Sequence, residues 1–119
     1  MSNDLKTHLQ HFTGTENWYR HPLFGGFSYT DGIRYLAEQA GAYWLIDQIF
    51  GFQYDNKRVK ALPFQVWDLI VNEDRSAWLI CTDGNDGRIL HEKISFTDFP
   101  LPEIRLFLTD RVLLLPSEY

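Results

Sequence analysis

The chain has 119 residues, 45% apolar and 23% charged, which excludes a disordered polyelectrolyte and suits one hydrophobic core but not two, so a single domain over 1–119 is expected. Sixteen acidic against eleven basic residues give a formal charge of −5, which removes unaided attraction to phosphate backbones or anionic lipid and disfavours nucleic acid as a partner.

The N-terminal run MSNDLKTHLQHF lacks the basic start and apolar stretch of a signal peptide. No apolar segment reaches membrane-spanning length, so a cytoplasmic location is expected. Ser2 or Asn3 can cap a short helix with Leu5, His8, Leu9 and Phe12 on one face, ended by Thr13 and Gly14. His8 and His11 stand three apart and could share a metal with Glu16 or His21. Their place in and beside an apolar stripe favours one histidine at the core edge and one in solvent, and no metal site is expected.

The stretch FTGTENWYRHPLFGGFSYTDG, residues 12–32, is the most informative part of the chain. It mixes Trp18, Tyr19, Phe24, Phe27 and Tyr29 with Glu16, Arg20, His21 and Asp31, while Gly14, Pro22, Gly25 and Gly26 break any regular period. A loop over 13–32 is expected, either plugging the core or presenting a site. Glu16, Trp18, Tyr19, Arg20, His21, Tyr29 and Asp31 are the candidate binding residues, because Trp, Tyr and Arg most often carry interface energy. Glu16, His21 and Asp31 are the alternative acid and base set, since a carboxylate-oriented histidine titrates near neutrality. No catalytic nucleophile accompanies them: Cys81 reads as a buried thiol, which also fits a reducing compartment, and no serine sits in a nucleophile elbow.

Thr30 or Asp31 can cap a second helix in which Ile33, Leu36, Ala37, Ala40, Tyr43 and Trp44 recur at helical spacing. Gly41 bends or splits it, Gly51 ends it, and residues 53–62 form a polar connection carrying Lys57, Arg58 and Lys60, read as a solvated turn. From Pro63 onward the pattern becomes an antiparallel meander: strands at Phe64–Val71, Ala77–Thr82 and 88–96, then a hairpin of 104–108 with 112–115 around Asp110. The first two strands are apolar on both faces, which predicts helices against one face and the aromatic loop or a partner subunit against the other. Asp47 and Asp68 fall on apolar faces and need partners, for which Arg20, Arg34 or an indole N–H are the candidates. Helices followed by strands indicate the α+β class, N-terminal helices packed on a C-terminal antiparallel sheet.

No nucleotide fingerprint is present, and the Asp-Gly-Asn-Asp-Gly turn at 83–87 lacks the spacing of a calcium loop, so no cofactor is expected. The blocks TGTENWYRHP, YTDG, GAYWLID, FQVWDL, TDFP and LLLPSEY together resemble an uncharacterised family of small bacterial proteins, often encoded on plasmids and other mobile elements. The resemblance implies a bacterial cytoplasmic setting and transfers no mechanism. The sequence thus favours a small binding module with a protein partner. A small enzyme using the loop's acid and base residues, or a structural homodimer joined through the sheet's second face, are the alternatives.

Overall fold

The computed structural model describes residues 2–14, 17–85 and 87–119, with side chains from residue 4 onward. Glu16 and the capping side chains expected at Ser2 or Asn3 lie outside the described residues. Helix α1, Ser2–Gln10, buries Leu5 and Leu9 as expected, but His8 and His11 are both exposed, with His8 Nδ1 2.9 Å from the Tyr35 hydroxyl. Helix α2, Asp31–Ala40, is capped by the Thr30 hydroxyl, which accepts from Ile33 N–H. It stops at Gly41, whose φ of 61° is the left-handed conformation glycine adopts without steric cost.

Helix α3, Tyr43–Asp55, runs through Gly51, where the sequence predicts an end. A glycine inside a helix costs about 1 kcal/mol, whereas burying Ile49 and Phe50 and stacking Phe52 on Trp67 at 5.9 Å gains roughly 1.5–3 kcal/mol per large apolar side chain. Burial wins, and the expected polar connection becomes the last turn of α3 followed by the short helix α4, Lys57–Lys60, capped by Asn56. Gln53 from that stretch is buried and exchanges amide hydrogen bonds with Gln65, at 2.9 and 2.8 Å, while Gln65 Oε1 also accepts from the Trp67 indole. No buried side-chain polar atom lacks a partner among the described residues.

The strands are β1 Trp18–Arg20, β2 Ser28–Thr30, β3 Phe64–Val71, β4 Ala77–Thr82, β5 Arg88–Ile94, β6 Glu103–Thr109 and β7 Val112–Leu114. They form one mixed sheet in the order β1-β2-β7-β6-β3-β4-β5. The fold is mixed α+β, and the C-terminal strands pair antiparallel, but three features correct the expected picture. The chain crosses from β5 to the other side of β3, where β6 pairs, so these strands are not a meander in chain order. The aromatic segment contributes two strands rather than a loop, and β2 joins β7 in parallel, Ser28 opposite Val112. The hairpin ending in β7 leaves one edge open, and the segment before α2 fills it, with Ser28 N–H donating to Arg111 O at 2.9 Å.

Side chains alternate across this sheet. Trp67, Leu69, Leu79, Leu106 and Leu113 share the core with Leu36, Leu45, Ile49 and Phe50 of the helices. On the other face Ile70 lies opposite Trp78 and Asp68 opposite Arg105, and Tyr119 packs on Phe64 and Phe107. The aromatic segment does not cover this second face. It packs instead on α3, Phe24 on Tyr54 and Phe27 on Phe50, each at 5.3 Å.

A carboxylate closes the structure behind the segment. Glu118, in a 3-10 turn at Pro116–Glu118, is buried and accepts from the Thr30 hydroxyl at 2.6 Å, Gly32 N–H at 3.1 Å and Leu115 N–H at 2.9 Å. It satisfies a free N–H at the first turn of α2, where a negative charge is also favoured. Gly32 permits this approach: a Cβ there would lie 2.6 Å from both Glu118 Oε1 and Leu115 Cδ1.

Candidate binding surface

Strand β1 is the outermost strand at one side of the sheet and pairs with β2, Tyr19 opposite Tyr29 and Trp18 opposite Thr30. Its Trp18 is 60% exposed. At the neighbouring position the Tyr19 hydroxyl donates to Asp31 Oδ1 at 2.7 Å, Asn17 donates to Asp31 Oδ2 at 3.2 Å, and the Arg34 guanidinium lies 4.6 Å over the Tyr19 ring. Arg34 is held more firmly protonated by hydrogen bonding with Tyr19 and by the charge of Glu38. The Tyr29 ring lies 5.8 Å from Tyr19, and burial, then the neighbouring Tyr43, pushes its phenol above the ordinary value. Trp18, Tyr19, Arg20, Tyr29 and Asp31 are thus gathered at one edge, joined by Arg34 and Tyr43 of the helices. In the sequence Arg34 reads as a candidate partner for Asp47 or Asp68 and Tyr43 as a helix-stripe position, and no local signal marks them as site residues.

His21 faces inward. It is 7% exposed, and its Nδ1 accepts from Leu23 N–H and Phe24 N–H, both at 3.0 Å. Nδ1 therefore carries the lone pair, and Nε2–H donates to Asp47 Oδ1 at 2.6 Å. The ring packs between Phe24 at 5.0 Å and Phe50 at 5.5 Å. Both ring nitrogens are engaged, so His21 pins the turn after β1 onto α3 and positions the edge.

Asp47 is the carboxylate that orients His21, while Asp31 is bound to Tyr19 and Asn17. The grouping of His21 with Asp31 as acid and base does not form. The two acids expected to need partners have them, though other ones than Arg20, Arg34 or an indole: His21 for Asp47, and for Asp68 a two-pronged pair with Arg105 at 2.8 and 3.0 Å. Asp47 itself is exposed, so a helix-face position that reads as apolar in sequence lies at the rim. Cys81 is buried with its thiol pushed up to about 12, chiefly by burial and secondarily by Asp83, an environment opposed to nucleophilic chemistry. Among the described residues no group of three His, Cys, Asp or Glu side chains could hold a metal ion, and no helix is long and apolar enough to cross a membrane.

Cavities lie elsewhere. A groove of about 520 Å³ separates α1 from the sheet, lined by Lys6, Leu9, Ile70, Leu101, Arg105 and Pro116 among others. A second pocket, of about 380 Å³, opens between the end of α3, α4 and the β6–β7 turn. Both are built from segments distant in sequence, and no local pattern signals them.

A family model described as a family of unknown function, DUF6876, matches residues 3–119. The chain belongs to this family. No curated protein and no solved structure matches it. The DUF6876 match spans both the edge strands and the C-terminal turn that closes behind them, so the framework holding Trp18 lies within the family's extent.

Proposed function

We propose that this DUF6876 protein is a binding module whose partner is a protein, recognised at the β1 edge. The observation that carries the reading is Trp18, exposed on an outermost strand whose next residue, Tyr19, is held in place by Asp31 and Arg34. A strand with one unpaired side can accept an extended segment through main-chain hydrogen bonds, and flanking Trp, Tyr and Arg side chains supply the energy and selectivity. Trp18, Tyr19, Arg20, Tyr29 and Asp31 form the contact set with Arg34. His21 acts by holding the strand in place. Proton-transfer chemistry has less support, because both nitrogens of His21 are occupied within the fold.

The family resemblance supports a bacterial cytoplasmic setting and an accessory role in mobile-element biology. The test is affinity purification of tagged protein from its native host, comparing wild type with a Trp18→Ala, Arg20→Ala variant of unchanged melting temperature. A protein retained by wild type and lost by the variant supports the reading. Equal recovery of all proteins by both forms sinks it.

A second reading, a homodimer through the sheet's second face, has the support of Ile70, 37% exposed, standing beside Trp78 there. A solution mass of one chain at micromolar concentration would remove it.

A further inference from the structure

We infer that the pocket between α3, α4 and the β6–β7 turn binds a small amphipathic anion, a flat apolar body carrying one carboxylate or phosphate group. Its walls include Phe27, Tyr54 and Leu108, and Lys60 and Arg111 both line it. A volume of about 380 Å³ falls within the range of small-ligand sites.

Arg111 is the decisive residue. The β6–β7 turn places Asp110 at φ 52° and Arg111 at φ 63°, two successive left-handed residues at positions where hairpins ordinarily use Asn, Asp or Gly. Asp110 suits such a position, but an arginine there is strained and needs a reason. Arg75, at φ 71°, supplies one for itself: its guanidinium donates to Thr97 O at 3.0 Å and Phe99 O at 2.8 Å, tying down the loop before β6. Arg111 has no such return. Among the described residues its guanidinium makes no hydrogen bond or ion pair, and it lies 5.9 Å over the Phe27 ring beside Gly26. Its main-chain oxygen accepts from Ser28 N–H, a service any residue would perform.

Lys60 likewise has no ion pair among the described residues. Asp110 also lines the pocket, so the wall carries two cations against one carboxylate. This is a local positive excess in a chain of net charge −5. Gln53 and Gln65 at the wall are already committed to each other. A ligand's polar group is therefore met by the cations and the Tyr54 hydroxyl, and its apolar body by Phe27 and Leu108. The turn strain is accounted for if Arg111 is kept for its charge and reach rather than for the hairpin.

The experiment is an NMR chemical-shift titration of the purified chain with 1-naphthyl phosphate, and with 1-naphthol as the neutral counterpart. Saturable shifts confined to Phe27, Tyr54, Lys60 and the 108–111 turn are expected, at least tenfold weaker for 1-naphthol. Arg111→Gly is expected to weaken the phosphate at least tenfold while melting no lower than wild type. Lys60→Ala, an exposed change that leaves the hairpin untouched, gives a second and independent loss of affinity. Lys6→Ala in the other groove should change nothing. Absence of saturable binding, equal affinity for the two compounds, or affinity that survives both Arg111→Gly and Lys60→Ala would overturn the inference. Arg111→Gly with lowered stability and intact binding would assign Arg111 to packing on Phe27 instead.

Discussion

The C-terminal turn and the aromatic segment are both short and irregular, and both dock on helices through a polar side chain, yet they end in opposite states. Glu118 is buried with its two oxygens serving three donors, so its carboxylate is fully used within the fold. The aromatic segment is divided: its His21 half is drawn under Asp47 and Phe50, and its Trp18 half stays open on the sheet edge. The difference lies in where each anchor sits along its segment. Glu118 binds both the N–H at the start of its own turn, Leu115, and the first turn of α2, so it ties the two together, whereas His21 follows β1, fixing the turn beyond the strand and leaving Trp18 exposed.

Breaking the closed region should cost most. Glu118→Ala leaves the Thr30 hydroxyl and the Gly32 and Leu115 N–H groups without their acceptor, and a loss of about 3 kcal/mol is expected in urea denaturation. Gly32→Ala acts on the same contact from the other side. Its Cβ meets Glu118 and Leu115 at 2.6 Å, so a loss of about 1–3 kcal/mol is expected by the same measurement; a neutral result would mean that the C-terminal turn is not seated on α2.

His21→Ala should cost about 2 kcal/mol by removing the acceptor of two backbone N–H groups and its ring contacts. It should loosen the 22–27 turn, read as faster amide exchange there, with α1 unaffected. Trp18→Ala should shift stability by no more than about 0.5 kcal/mol, and a larger loss would show that the exposed half belongs to the core.

Cys81 reports on both regions without belonging to either. Its thiol is raised from 9 to about 12 by burial, so in the folded protein it should react with Ellman's reagent only through opening. Glu118→Ala should speed that reaction and Trp18→Ala should not. The same shift gives the pH effect its sign. The fold keeps the thiol protonated, so this contribution to stability is complete below pH 9 and is lost as pH rises towards 12. Cys81→Ala should flatten that part of the alkaline stability profile.

The elements that were legible in the sequence are those set by neighbours in the chain. Thr30 caps α2 and Gly41 ends it because each acts on N–H and C=O groups within a few residues. Strands β3 and β4 have the expected limits because their runs of six to eight residues carry enough period and turn punctuation to define them. Strands β1 and β2 have three residues each, too few for any period, and take strand form because the free edge of β7 offers partners. The candidate edge residues could be named from composition, but His21 could not be separated from Trp18, since burial is a property of the groups that pack on a side chain.

The sequence by itself determined the α+β class, the Thr30-capped helix α2 and the central antiparallel strands, all consequences of local backbone preference and side-chain periodicity. Only the tertiary structure decided the parallel β2–β7 pair, the junction of Glu118 with Thr30 and Gly32 across more than 80 residues, the pairing of His21 with Asp47, and the meeting of Lys60 with Arg111 at one pocket. These contacts depend on which surfaces the core brings together, and no rule acting over a few residues can anticipate them.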